Sequence, residues 1–201
     1  VKNLWLDASY YFRWYTDFLG YNLGADVTFN DDGFLNTSQF LRVSANSSDQ
    51  VTTQGFSLGY NYYFKRFYAF NGNYSWNKLD RQGSDDPIIP AFNTPEHKFN
   101  VGLSGRDIST TIGSLKIKNV GFNVNYKWVQ GFLFDGSPQF TGEIPTYDLV
   151  DAQINYRWPK IKTIFKLGAS NLLNEQTFQT YGGPRIGRMA YFSLLLELDK
   201  I

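Results

Sequence analysis

The chain has 201 residues and a formal net charge of +1, a balance that gives no electrostatic case for nucleic acid or for a polybasic partner surface. It has no cysteine, which excludes disulfide frameworks, thiolate metal sites and thiol nucleophiles, and one histidine, which excludes two-histidine metal sites. Aromatic residues make up 18% of the sequence, a weighting toward rings that pack on pleated strands.

From the amino terminus onward, a period of two predicts strands. In "NLWLDASYYFRWYTDF", Leu4, Leu6, Ala8, Tyr10, Phe12 and Trp14 share one parity, while Asp7, Ser9, Arg13 and Asp17 share the other. A long second strand is expected from about Gln39 to Phe64, where Phe56, Leu58, Tyr60 and Tyr62 oppose Gly55, Ser57, Gly59 and Asn61. "FYAFNGNYSW" repeats the split, as do "KFNVGLSGR", "NVGFNVNYKW" and "YDLVDAQINYRW". The last two strands, "IKTIFKLGAS" and "MAYFSLLLEL", are more apolar, yet Lys162, Lys166, Ser170, Ser193 and Glu197 keep a wet parity.

The connections alternate in length. Lys65-Arg66 and Pro159-Lys160 are tight and residues 108–117 form a modest link, whereas 19–38, 80–95, 130–144 and 172–187 are long, polar and rich in Gly, Pro, Asn and Asp. Short turns at one end and long loops at the other match an outer-membrane barrel, so the fold class expected is all-β, an antiparallel up-and-down transmembrane β-barrel with about eight strands in this chain. The longest uncharged run of the final strand, Met189 to Leu196, is far short of the roughly 20 residues a membrane helix needs. The wet parity is mostly Asn, Ser, Gly, Gln and Thr, which suits a hydrated lumen, whereas the exterior of a soluble barrel would be dense in Lys and Glu. Arg13, Asn123, Asp151, Arg157 and Glu197 are expected to face that lumen. Strands in hydrocarbon cannot leave backbone groups unpaired, so the last strand is expected to close the barrel.

Candidate chemistry is sparse. His97, in "TPEHKF" at a strand start, reads as a solvated loop residue rather than a catalyst. "YGGPRIGR" lacks the Lys-Ser/Thr of a phosphate loop and precedes a strand, so it reads as a turn. Asp31-Asp32 and Asp85-Asp86 have the oxygen ligands that Ca²⁺ takes, but paired Asp beside Gly or Pro more often makes turns. Asp7 and Asp17 stand roughly 33 Å apart at strand rise, too far for acid and base on one bond. No catalytic residue, metal site or cofactor is assigned. Ligand contacts, if the long loops make them, fall to Phe132, Phe134, Phe140, Tyr181 and Arg185, since aromatic platforms beside Asn and Arg suit sugars, peptides and chelates alike. The plainer reading of each ring is that it packs one loop onto another.

"DASYYFRWYTDF", "FNTPEHKFNVGLSG", "VDAQINYRW" and above all "KLGASNLLNEQTFQTYGGPRIGRMAYFSLLLEL" resemble the carboxy-terminal part of a TonB-dependent outer-membrane receptor, especially the forms common in the Bacteroidota. In the most specific piece, Gly168, Asn171, Leu172 and Asn174 lead into the last extracellular loop and Gly187-Arg188 opens the final strand. Family members usually end on an aromatic residue; here Leu198 stands near that position and Asp199-Lys200-Ile201 follow. The resemblance implies that residues 1–201 are a barrel segment, the last part of a barrel of about twenty-two strands, with the plug domain outside this chain. It implies a non-enzymatic receptor of the bacterial outer membrane that captures a chelate, oligosaccharide, vitamin or peptide with its extracellular loops and imports it with energy from the inner membrane. The implied partners are the lipid bilayer, the remaining strands and plug, the TonB system reached through the plug, and a surface lipoprotein. The alternative is a complete eight-stranded structural or adhesin-like barrel; a phospholipase or protease barrel is weaker still, because one histidine hardly supports its constellation.

Overall fold

The computed structural model describes residues 3–80, 92–136 and 140–197. The alternating segments form strands: β1 (Leu4–Tyr15), β2 (Leu19–Phe29), β3 (Leu35–Asn46), β4 (Val51–Phe64), β5 (Tyr68–Asp80) and β6 (His97–Ile112). There follow β7 (Leu115–Val129), β8 (Phe132–Phe134), β9 (Gly142–Ile144), β10 (Tyr147–Trp158), β11 (Thr163–Ser170) and β12 (Met189–Leu196). Eight of them pair antiparallel in one sheet, in the order β1-β4-β5-β6-β7-β10-β11-β12, while β2–β3 and β8–β9 are separate two-stranded hairpins.

Register carries the sequence alternation across the whole sheet. Leu6 pairs with Tyr60, Leu58 with Tyr74, Tyr74 with Phe99 and Phe99 with Trp128. Phe122 then pairs with Ile154, Tyr156 with Phe165 and Phe165 with Leu194. The apolar parity is therefore a single continuous face of rings and aliphatic chains, in contact across strands as Phe99 is with Trp128 at 5.5 Å between ring centres. Nothing in the described chain covers that face: Phe192 is 64% and Ile154 54% exposed. The large buried apolar side chains lie instead at the strand ends and in the connections, at Tyr21, Val51, Val129, Ile144 and Tyr147.

The opposite face is held together by amides and hydroxyls. Ser9 and Ser57 share a 2.8 Å hydrogen bond, Asn100 donates to Asn73 at 2.7 Å, and Asn125 donates to Asn123 at 3.1 Å. Rings lie over glycines that are their registered partners: Tyr11 over Gly55, Tyr60 over Gly72, Phe122 over Gly105 and Tyr191 over Gly168. A glycine leaves the floor open for the ring, and the ring shields the backbone that glycine exposes. Two of these rings on the polar face then donate onward, Tyr11 to Asn77 and Tyr191 to Gln153.

The short turns are as tight as their residues demand. Lys65 and Arg66 both hold positive φ between β4 and β5, and Gly113, at φ 61, opens the turn from β6 to β7. Between β10 and β11, Pro159–Ile161 make one 3-10 turn that ends in Lys162 at φ 50.

Three expectations are corrected. The up-and-down barrel does not form within this chain: the described strands make three open sheets, with β1 and β12 as the two edges of the largest. Alternation and turn length specify which sequential strands pair, but they say nothing of whether the first and last meet, which depends on strand number, tilt and stagger together. The strand expected over residues 39–64 is two, β3 and β4, broken at Ser47–Gln50, where Ser47 is buried and its N–H donates to the Phe18 carbonyl at 2.8 Å. The loop expected at 19–38 is largely the β2–β3 hairpin, and the one at 130–144 contains β8 and β9. Most of the 80–95 connection, with Asp85-Asp86, and the segment from Leu198 onward lie outside the described residues.

Candidate functional site

The long connections gather at one end of the sheet, and the first thing they build is a small apolar knot. Val129 at the end of β7, Ile144 at the end of β9 and Tyr147 at the start of β10 are buried together, and Phe132, Phe134, Leu149 and Phe178 pack on them. Phe178 belongs to the 172–187 connection, so the knot joins that connection to the β8–β9 hairpin. The join is made twice more by rings seated on glycines: Tyr181 against Gly142, and Phe140 against Gly182. Four of the five sequence candidates, Phe132, Phe134, Phe140 and Tyr181, are thus brought together as interlocking loop contacts. Phe140 still keeps 51% of its surface exposed. Arg185 is exposed at the outer part of the same connection, one residue before the Thr177–Ile186 bridge that ties it across.

The base of that connection is fixed by Asn171, which is 5% exposed and holds φ 50. Its side-chain Nδ2 donates to the carbonyls of Glu175 and Ile186 at 2.8 and 3.1 Å, and its Oδ1 accepts the Glu175 N–H at 2.8 Å. Its own N–H donates to Asp151 Oδ1 at 2.8 Å, which anchors the turn to β10. Asn174 repeats the device by accepting the Arg188 N–H at 2.9 Å.

A second junction was invisible in the sequence because its key residue fell in an expected loop. Tyr21 of β2 is 2% exposed, and the Arg42 guanidinium of β3 lies 3.8 Å from its ring centre. Burial pushes the Tyr21 hydroxyl up, the negative charge of Asp135 adds to that, and Arg42 with a hydrogen bond involving Thr141 opposes it. Asp135 and Thr141 sit either side of the β8–β9 tip, so the β2–β3 hairpin leans on the same loop cluster. Asn93 clamps Asp135 from another connection, donating to its carbonyl at 3.0 Å and accepting its N–H at 2.8 Å. Burial raises the Asp135 carboxyl. The readable signal, in retrospect, is the parity of Leu19, Tyr21, Ala25, Val27 and Phe29, obscured by the intervening Gly20, Asn22, Gly24 and Asp26. Arg42→Ala should speed protease cleavage of this hairpin roughly threefold, the loss of about 0.5–1 kcal/mol from an exposed cation over a ring; an unchanged cleavage rate would mean that the stacking contributes nothing.

Arg13, Asn123, Asp151, Arg157 and Glu197 all belong to the polar side of the sheet. Arg13 pairs with Thr53 and lies 4.8 Å from the Tyr11 ring centre, Asn123 accepts from Asn125, and Asp151 anchors Asn171. Arg157 and Glu197 form an ion pair at 2.8 Å. His97 is a strand residue: Tyr74 and His97 Nδ1 share a hydrogen bond, and Glu96 accepts from Trp76 Nε1 at 3.0 Å. Among the described residues no three His, Cys, Asp or Glu side chains cluster to hold a metal ion. Asp31-Asp32 sit exposed at the tip of the β2–β3 hairpin. What this end of the molecule offers is hydrogen bonding, aromatic surface and exposed cations, Arg185 among them.

The chain thus presents an antiparallel sheet with one bare apolar face, short turns at one end and interlocked long connections at the other. Residues 1–172 match the family described as TonB dependent receptor-like, beta-barrel, and the chain belongs to that family, which places it in the bacterial outer membrane. Among known structures it is similar to the FrpB iron transporter from Neisseria meningitidis (F3-3 variant), at 14% identity and a TM-score of 0.61, over 96% of this chain and 29% of that one. It is similar to the copper transporter OprC at 13% identity and a TM-score of 0.68, over 96% and 29%. The ferric-catecholate import receptor Fiu from K12 E. coli aligns at 18% identity and a TM-score of 0.59, over 96% and 24%. At these identities the likeness is one of fold, and the chain spans less than a third of the length of the structures it matches. No curated protein sequence matches it.

Proposed function

We propose that this chain supplies carboxy-terminal wall strands and ligand-facing connections to an outer-membrane receptor that captures a ligand outside the cell and imports it with energy from the inner membrane. The observation that carries this reading is the gathering of the β2–β3 hairpin, the β8–β9 hairpin and the 172–187 connection into one interlocked cluster at the end of an amide-lined polar face. Phe140 and Arg185 are the contacts offered outward, with Phe132, Phe134 and Tyr181 holding them in place. Arg13, Asn123, Asp151, Arg157 and Glu197 supply polar surface along the inward route. The partners in this reading are the lipid bilayer, a plug and further strands of the same receptor, the TonB system acting through that plug, and a surface lipoprotein. The similar structures are named for iron, copper and ferric-catecholate transport, three cargoes on one architecture, so the ligand class stays open among chelates, oligosaccharides, vitamins and peptides.

The test is uptake by cells that depend on the full-length receptor, with ferric catecholate, cobalamin and neutral oligosaccharides as probes. One of these should accumulate only when the inner membrane is energised, and a Phe140→Ala/Arg185→Ala variant should lower that uptake by about tenfold, in line with losing one aromatic and one charged contact. Accumulation that ignores inner-membrane energy, or no accumulation of any probe, would sink the proposal.

A further inference from the structure

The short-turn end of the sheet has chemistry of its own. The ladder between β7 and β10 runs down to Val120 opposite Tyr156 and stops there. Asn119, at φ 59, turns β7 out of the simple extended path, and the β6–β7 register shifts over the same stretch. Beyond that point β10 enters the Pro159–Ile161 turn. Between the two strand ends is a hollow of about 620 Å³ lined by Lys116, Lys118 and Lys160 with Tyr156, Trp158 and Pro159. No acidic side chain lines it. All three lysines are exposed, and none is ion-paired among the described residues.

Three like charges around one hollow repel each other unless an anion joins them. What lies alongside says which anion. A second groove of about 180 Å³, lined chiefly by Val120, Ile154, Phe165, Leu167 and Phe192, shares Tyr156 with the first. It lies on the bare apolar face, where Leu167 and Phe192 are exposed. A cationic hollow flanked by Tyr and Trp rings and continuous with an uncovered apolar groove has the two-part form of a phospholipid: phosphate at one end, hydrocarbon at the other.

We propose that Lys116, Lys118 and Lys160 form the headgroup site of an anionic phospholipid, whose acyl chains lie over Tyr156, Ile154, Phe165 and Phe192. Rings at the membrane boundary and lysines just outside it are each favourable in an anionic leaflet, and here the fold brings them to one place. In an outer-membrane protein the short turns are periplasmic, so the lipid comes from the inner leaflet. The site is independent of ligand capture at the other end of the sheet, and either can fail alone.

The experiment is native mass spectrometry of the full-length receptor released from nanodiscs of phosphatidylglycerol or of phosphatidylcholine. The wild type should retain phosphatidylglycerol in preference. Lys116→Gln/Lys118→Gln/Lys160→Gln should weaken that retention about a hundredfold, at roughly fivefold per lysine, while Lys→Arg at the same positions should preserve it. Lys65→Gln/Arg66→Gln, at another short turn, should leave it unchanged. Glycerophosphoglycerol, which carries the headgroup without the chains, and inorganic phosphate should displace the lipid poorly. If the glutamine variant fails to assemble, acetylation of the wild type gives the same answer: Lys116, Lys118 and Lys160 should be protected in phosphatidylglycerol relative to phosphatidylcholine, and Lys65 should not. Equal retention of the two lipids, undiminished retention in the glutamine variant, displacement by the chainless headgroup or by phosphate alone, or acetylation equal in both lipids would each overturn the site.

Discussion

Asn171→Ala should destabilise the folded receptor by about 3–4 kcal/mol, because it removes three side-chain hydrogen bonds from a position that is 5% exposed and leaves the Glu175 and Ile186 backbone groups without them. Each buried polar group left unsatisfied costs about 1–3 kcal/mol, and partial relaxation of the loop keeps the sum below simple addition. Alanine also tolerates φ 50 less well than asparagine, whose short polar side chain favours the left-handed region. The consequence reaches beyond the loop, since the Asn171 N–H on Asp151 ties the 172–187 connection to β10, and through Phe178 that connection meets the apolar knot. Asn171→Asp should cost at least as much: its Oδ1 can still accept the Glu175 N–H, but its other carboxylate oxygen would face the Glu175 and Ile186 carbonyls, acceptor against acceptor, in a buried position. The measurement is the unfolding free energy of the full-length receptor in lipid or detergent. A loss under about 1 kcal/mol for Asn171→Ala would show that the hydrogen bonds seen here are replaced by water at no cost.

If the bare apolar face meets lipid, Leu194→Lys should lower assembly in the outer membrane by an amount equivalent to about 2–4 kcal/mol, the cost of a lysine near the bilayer midplane on a lipid-facing strand position. Leu194 pairs with Phe165, is 56% exposed and lies on the continuous apolar face. Its neighbour Ser193 lies on the other face, opposite Lys166. That pairing alters the natural control: Ser193→Lys would set two lysines directly across from each other and add a cross-strand repulsion of up to about 1 kcal/mol. Ser193→Gln is the cleaner comparison and should assemble nearly as well as the wild type. Assembly is scored as heat-modifiable full-length receptor in isolated outer membranes. Equal yields of Leu194→Lys and Ser193→Gln would mean that the bare apolar face does not meet lipid.

The bases of the two junctions differ in how far they could be read ahead. "NLLN" with Gly187-Arg188 was a visible motif, and its structure explains why those residue types stand there: an asparagine can occupy positive φ and still bridge three backbone groups. The Tyr21–Arg42–Asp135 junction left no such trace. Its members come from β2, β3 and the β8–β9 tip, and Tyr21 is buried where Arg42 and that tip meet it. The five loop candidates were legible as aromatic and cationic residues in long connections, but not as partners; Phe140 on Gly182 and Tyr181 on Gly142 are contacts between two connections that sequence spacing cannot relate. The lysine hollow was missed for a simpler reason. Lys116, Lys118 and Lys160 look like ordinary turn solubilisers until β7 and β10 are seen to be neighbours.

By itself the sequence determined the eight strands of the main sheet, which residues share each face, and which ends carry short or long connections, because period-two alternation and turn chemistry are local and each strand declares its own parity. It misjudged the extent of the second strand, where a polar Ser-Ser-Asp-Gln run divides β3 from β4 and a Gly- and Asp-interrupted alternation hides β2. The tertiary structure alone decided that the main sheet stays open between β1 and β12, that two hairpins stand apart from it, and that distant loops lock together. Those outcomes depend on strand stagger and on contacts between segments far apart in the chain, from Gly142 with Tyr181 to Tyr21 with Asp135, quantities that no local pattern encodes.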